Sequence, residues 1–294
     1  MNLSHLSGYP DKKLRALFGM TRSALAALLE AALPEMLHRR QEAQQGRAGR
    51  KRSVGGGRTR RLRPYQEVLL TLVYLRHNVS HAVVGEMFGV SADTAENTFH
   101  EVVLVLRDVC PSQRWDAEKR WKKGEPSWKP EEMEQILIDS FETPVSRPSL
   151  DTAQRRLYSG KKKRHTLKTQ IVTDARGEIL EIDAGHRGPS SDKKLYEKSG
   201  VAERYPKAGK QADLGYQGAE GVAVPHKKPR KGQLTEQQKE ENRIQASGRV
   251  YVEHGIRRVK AFRIVRDEYR LALGLFPLIA QAVVGLAQLN RLVG

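Results

Sequence analysis

The sequence holds one cysteine, Cys110, in 294 residues. That excludes a disulfide framework and a zinc site built from several cysteines. Aromatic residues make up only 6%, and the stacking motifs of common RNA-binding modules are missing. Acidic residues are in short supply, with 34 Asp and Glu against 52 Lys and Arg, a net charge of +18. An excess of this size repels itself and implies a polyanionic partner. Nucleic acid is the first candidate and an anionic membrane surface the second. The N-terminal MNLSHLSGYPDKK has no apolar signal core, and a cytoplasmic protein is expected. One uncharged stretch, Leu271 to Leu289, approaches the length of a membrane span. Gly274, Pro277, Gln281, Gly285 and Gln288 interrupt it, so a packed terminal helix broken near Pro277 is expected.

What is present divides the chain into five parts. Residues 1–42 carry helical apolar stripes, with Leu14, Leu17 and Phe18 on the first helix and Leu25, Leu28, Leu29 and Leu33 on the second. Thr21 is placed to cap the second helix, and Pro34 is expected to weaken its end. Residues 43–63 contain eight basic residues, five glycines and no acidic residue. This composition reads as an arm, either a solvated linker or a segment lying along DNA through Arg50, Lys51, Arg52, Arg60 and Arg61. In residues 64–110 a helix begins at Pro64, another is capped by Ser80, and a third follows the turn Gly89-Val90-Ser91. Val84, Phe88, Val90 and Ala95 supply the contacts that a helix-turn-helix buries. The third helix carries Asp93, Glu96 and Glu101 and no basic residue before Arg107. Reading of DNA would rest on Ser91, Thr94 and Asn97, helped by His100; a purely structural or dimerising unit is the competing reading. Residues 111–134 are a linker with Pro111, Pro126, Pro130 and three tryptophans.

Residues 135–294 change to alternating strands and helices, the pattern of a mixed α/β domain. Gln135 to Phe141 is a short apolar run with Asp139 inside it, and a lone buried carboxylate must be paired, metal-bound or protonated. Leu167 to Thr173 and Ile179 to Ala184 read as strands joined at Asp174-Ala175-Arg176-Gly177. Ser191 or Asp192 is placed to cap a helix. Lys210 to Asp213 leads into Gly215-Tyr216-Gln217-Gly218, where both glycines are expected to supply positive φ. Thr235 and Gln238 form a capping box for a helix that carries Arg249, Glu253 and Lys260 on one face. Asp139, Asp213 and Glu253 can converge. Three converging carboxylates are costly unless hard divalent cations neutralise them, and two Mg²⁺ or Mn²⁺ ions suit phosphodiester chemistry. Each residue also has a structural reading: a satisfied carboxylate, a turn residue and a helix ion pair.

Together these stretches resemble the DDE transposases of bacterial insertion sequences, in the insertion-sequence-five group. The resemblance rests on LVYLRHNVSHAVVGEMFGVSADT, IDSFETPVSRP, YSGKKKRHTLKTQIVTDARGEILEIDAGHRGPSSDKKLYEKSGV, ADLGYQG, PHKKPRKGQLT and RVYVEHGIRRVKAF. It implies an RNase-H-like mixed sheet flanked by helices, preceded by an all-α helix-turn-helix domain. It assigns Asp139, Asp213 and Glu253 as catalytic metal ligands for two Mg²⁺ ions, with Mn²⁺ able to substitute. Arg249, Glu253 and Lys260 match an Arg-x3-Glu-x6-Lys signature; the tyrosine that often begins it falls at Ala246. Asp192 occupies a position that is often acidic in the family and is a candidate for an accessory role.

The basic clusters beside these elements are expected to hold phosphates. They comprise Arg155, Arg156, Lys161, Lys162, Lys163, Arg164 and Lys168; Lys227, Lys228, Arg230 and Lys231; and Arg257, Arg258 and Lys260, with Arg249 a further phosphate contact on the helix of Glu253. The resulting expectation is a cytoplasmic, nucleoid-associated transposase that binds terminal inverted repeats, cuts by metal-activated water and joins the 3′-OH to target DNA. It would act on double-stranded DNA as a homodimer or higher oligomer, away from membranes. The competing expectations are a DDE-fold nuclease without strand transfer and a catalytically inactive DNA-binding protein.

Overall fold

The computed structural model of the chain describes residues 8–45, 59–122, 126 and 128–294. Arg50, Lys51 and Arg52 lie outside the described residues. The first helices are α1 (Asp11–Phe18) and α2 (Arg22–Gln45). Thr21 caps α2, its hydroxyl accepting from Ala24 N at 3.2 Å. Pro34 does not end α2, which continues to Gln45. An interior proline costs about 3 kcal/mol. Burial of Leu28, Ala32 and Met36 on both sides of Pro34 holds the helix through it.

Three helices follow as expected: α3 (Pro64–His77), α4 (His81–Phe88) and α5 (Ala92–Val109). Ser80 and Ser91 accept from Val83 N and Thr94 N, and Gly89 takes the left-handed conformation at φ 70° between α4 and α5. The tryptophan-rich linker contains a further helix, α6 (Arg114–Trp121), whose short apolar face the proline content concealed.

The sheet has six strands: β1 (Gln135–Pro144), β2 (Tyr158–Ser159), β3 (Arg164–Asp174), β4 (Ile179–Arg187), β5 (Gly209–Gln211) and β6 (Val222–Ala223). Strands β4, β3 and β1 are antiparallel neighbours, and β5 and β6 extend the sheet in parallel beyond β1; β2 adds a short pairing to the start of β3. Between them lie α7 (Asp151–Leu157), α8 (Asp192–Ser199) and α9 (Val201–Arg204). After β6 come α10 (Glu236–Lys260), α11 (Arg263–Arg266) and α12 (Phe276–Leu292). This is the RNase-H-like mixed sheet with helices on both faces. One face packs Ile136, Ile138 and Val172 against Tyr196, Val201, Tyr205 and Tyr216 of the α8–α9 side.

The other face joins the helix-turn-helix in a single core. Leu137, Phe141 and Ile171 of the sheet belong to the same buried cluster as Leu69 and Leu72 of α3, Phe99 and Leu106 of α5, and Ile279, Val283 and Leu286 of α12. The apolar terminal stretch is therefore buried between protein elements: α12 packs on α5, α6 and β4. Gly285 sits against the backbone carbonyl of Cys110, leaving no room for a side chain. Gly285→Ala would force that carbonyl and α12 apart. Overpacking of this kind costs about 1–3 kcal/mol, so the urea midpoint of the variant should fall; an unchanged midpoint would show that α12 does not seat there.

Candidate active site

The site forms where the pairing of β1 with β5 ends, midway along β1. Leu137 pairs with Gln211 in parallel register. Two residues further along each chain stand Asp139 and Asp213, at the same level of adjacent strands. Residues two apart on a strand share a face, so both carboxylates arise on the face covered by α10. Asp213 stands two residues beyond the last β5 residue and opens the 3-10 turn Leu214–Tyr216, with its Oδ1 accepting from Gly215 N at 2.9 Å.

Asp139 has a side chain only 15% exposed. Its Oδ1 accepts from Ser140 N at 2.7 Å, and Arg249 Nη2 of α10 lies 3.6 Å from Oδ2. Burial is the largest influence on this carboxyl and pushes its pKa up to about 6; the charges of Asp213 and Asp192 push the same way, against Ser140 N–H and Arg249. Lys260 lies 4.9 Å from the Phe141 ring centroid on the same flank, and its pKa is lowered, first by burial and then by the charge of Lys162.

The structure also brings Asp192 into this group. Ser191 takes the helix cap, its hydroxyl accepting from Lys194 N at 3.3 Å, which leaves the Asp192 carboxylate free for tertiary contacts. Asp192 Oδ1 accepts from Ser140 Oγ at 2.6 Å and from Lys168 Nζ at 3.1 Å. Lys168 is 6% exposed and so leaves the set of surface phosphate contacts. Arg258 leaves it too, donating to the Gly177 carbonyl.

Gly215 serves a different purpose from the expected one. Gly218 does take positive φ, at 81°, but Gly215 is not among the positive-φ glycines. A methyl group at Gly215 would lie 2.5 Å from Asp192 Oδ2 and 2.9 Å from Asp213 Oδ1. Glycine is needed there because two carboxylates approach the backbone.

Glu253 is not gathered with the others. Its side chain is 52% exposed and sits 4.0 Å from Arg257. It lies on α10 between Arg249 and Lys260, the two cations that flank Asp139. Among the described residues, no three acidic, histidine or cysteine side chains are close enough together to hold a metal ion as they stand.

The other basic and helix-turn-helix positions lie around this centre. Lys161, Lys162, Lys163 and Arg164 are exposed at the β2–β3 turn, with Lys163 in the left-handed region at φ 53°. Lys227 and Lys228 are exposed on the loop before α10, which is tied to that helix by His226 and Glu241 at 2.6 Å. Ser91, Thr94 and Asn97 are exposed at the start of α5. Thr59, Arg60, Arg61, Ser91 and Thr94 line an open depression of about 360 Å³ there. Arg60 is also engaged internally, by Glu67 at 3.1 Å and Glu101 at 2.8 Å.

Residues 138–288 match the family of DDE superfamily endonucleases, and residues 60–112 match the helix-turn-helix of DDE superfamily endonuclease. Two curated proteins that carry the provisional name of transposase align with most of the chain. The one for insertion sequence element IS702 from Microchaete diplosiphon is 30% identical over 246 residues, 82% of this chain and 85% of its own length. The one for insertion sequence element IS112 from Streptomyces albus G is 26% identical over 252 residues, 82% of this chain and 86% of its own. No solved structure matches the chain. With its matched endonuclease and helix-turn-helix regions and its similarity to insertion-sequence transposases over most of its length, the chain belongs to the DDE superfamily endonucleases, as a transposase of the insertion-sequence type.

Proposed function

We propose that the protein binds the terminal inverted repeats of its element, hydrolyses a phosphodiester bond at each end and joins the exposed 3′-OH to target DNA. The observation that carries this reading is the register of β1 and β5, which sets Asp139 and Asp213 side by side. The donors are hard oxygens. Burial and neighbouring negative charge already work against ionisation of Asp139, and a divalent cation would relieve that cost. Such a set fits Mg²⁺ or Mn²⁺, which are commonly bound through one or two carboxylates together with substrate phosphates. When bound, two such ions supply Lewis-acid activation of the attacking oxygen and stabilisation of the leaving one.

In this reading Asp139 and Asp213 are the strand-borne ligands. Glu253 is the third, and its exposed side chain turns toward Asp139 when DNA displaces Arg257 from it. Arg249 and Lys260 hold phosphates beside the cleaved bond, with Lys162 next to them. Lys161, Lys163, Arg164, Lys227, Lys228 and Arg257 follow the DNA backbone outward. Ser91, Thr94 and Asn97 meet the repeat, with Arg61 on the adjacent phosphates and residues 43–63 as an arm along the duplex. Joining two ends requires at least two chains on the DNA, and such a protein acts in the cytoplasm on the nucleoid.

Strand cleavage and joining should be measured on the element's own ends with Mg²⁺. Asp139→Ala, Asp213→Ala and Glu253→Gln should each reduce both by at least about a hundredfold, the scale on which one electrostatic stabiliser of a transition state counts. Full cleavage by any variant would remove that residue from the metal site, and wild-type cleavage without joining would make the protein a nuclease alone.

Asp139 gives a second test, on stability. Its folded pKa is raised above the ordinary 3.8, so the fold favours the protonated carboxyl. That contribution is full below pH 4 and is lost as the pH rises through about 6. In chelator-containing buffer, Asp139→Asn should match wild type near pH 4 and be more stable at pH 7.5 by about 3 kcal/mol. Denaturant unfolding at both pH values measures this; a less stable variant at pH 7.5 would show that Arg249 alone compensates the buried charge.

A further inference from the structure

Two arginines and two glutamates close a ring that joins α2, α3 and α5. Arg40, near the end of α2, reaches Glu67 through Nη2 and Glu101 through Nε, the latter at 2.5 Å. Arg60 reaches the same two carboxylates, with Nη1 3.1 Å from Glu67 and Nη2 2.8 Å from Glu101. Each carboxylate gives one oxygen to each arginine. The Glu67 side chain is 2% exposed. Loss of either arginine would leave one of its oxygens charged, buried and unpaired, which is costly. The ring therefore differs from an isolated surface pair: each planar fork meets two acceptors within one network.

The place of Glu101 on α5 ties the ring to recognition. Thr94, Asn97 and Glu101 are spaced three and four apart and lie along one stripe of the helix. Thr94 and Asn97 are exposed. A bare carboxylate on that stripe would repel phosphates. Burial works against the charge of Glu101, but the hydrogen bonds of Arg40 and Arg60 outweigh it and hold the carboxyl below its ordinary range. Glu101 thus stays ionised and stays paired.

The same contact fixes the chain around Arg60. Thr59, Arg60 and Arg61 line the depression of about 360 Å³ that Ser91 and Thr94 share at the start of α5. Leu62 is buried, and Arg63 N donates to Gln66 Oε1 at 2.9 Å at the start of α3. Arg61 stands between these anchors, exposed and in no ion pair among the described residues. Its guanidinium is available to an anion beside Ser91 and Thr94.

We propose that Arg60 is a positioning residue for DNA recognition. Together with Arg40 it neutralises Glu101, and so it holds residues 59–61 against the start of α5, where Arg61 meets a DNA phosphate. Arg60 itself stays in the ring and touches no DNA. The inference rests on the reading of α5 as a DNA-contacting helix.

Binding of the full chain to the element's own end, measured from about 50 to 200 mM salt, tests it. The slope of log affinity against log salt counts phosphate contacts, at about 0.9 each. Arg61→Ala should lower the slope by about 1. Arg60→Ala should lower it equally, and the double variant no further, because Arg60 acts through Arg61. Arg60→Lys keeps the charge but cannot bridge both carboxylates, so it should bind as Arg60→Ala does. It also serves in place of the alanine variant if that one folds poorly; melting temperatures report folding for each. Glu101→Ala should weaken binding although it removes a negative charge. A double variant that loses about 2 from the slope would make Arg60 a phosphate contact in its own right. An unchanged slope in folded Arg60→Ala would make the ring purely structural. Either result overturns the proposal, as does tighter binding by Glu101→Ala. In all three the wild type still binds with a salt-dependent slope, and the DNA-contacting reading stands. A wild type that binds no duplex DNA would overturn both.

Discussion

Everything at the site depends on the parallel pairing of β1 with β5. Three register pairs, Gln135 with Gly209 through Leu137 with Gln211, align the two strands. Neither Asp139 nor Asp213 is itself in that ladder, yet the shared level follows from it. A slip of one residue would turn one carboxylate to the opposite face. The register is protected because both strands are committed on the α8 side: Ile136 and Ile138 on β1, and Ala212 and Tyr216 after β5, enter one buried cluster. The chemistry is thus placed by apolar packing on the face away from it.

The second constraint is the common core of the helix-turn-helix and the sheet. Helix α12 packs against α5, α6 and β4, and Arg291 at its end meets Glu178 at 2.8 Å beside the β3–β4 turn. Asn78, at the end of α3, donates to the carbonyl of Glu268 at 3.0 Å, and Arg270 returns a bond to the Asn78 carbonyl. The helices matched to DNA binding and the strands that carry the carboxylates therefore form one body. The offset between the start of α5 and the carboxylates is therefore set by the packing of α12.

Much of this was legible in the sequence, for local reasons. Ser80, Ser91, Ser191 and Thr235 announce helices because a cap needs only its own next turn. Asp139 stood out because a carboxylate inside an apolar run needs a special environment. The less visible features all depend on residues distant in the chain. The tie from Ser140 to Asp192 spans 52 residues, and Lys168, one of a basic run in the sequence, is buried against Ser190 O and Asp192 Oδ1. Gly215 resembled a turn glycine, but its demand comes from Asp192, on another element. Helix α2 continues through Pro34 because tertiary burial outweighs a local break.

The charges of the site are incompletely balanced within the protein. Asp192 and Asp213 both act on the buried carboxyl of Asp139, and Arg249 and Lys168 answer the acids from the two faces of the sheet. Arg249 is also only partly satisfied, with its Nε buried and unpaired among the described residues. A protein selected for stability alone would neutralise such a cluster with apolar residues or complete ion pairs. Here burial and two neighbouring carboxylates work against the ionised form of Asp139, and Arg249 at 3.6 Å offsets them only in part. On the proposed reading, a phosphate backbone with its cations would satisfy Asp139 and Arg249 together.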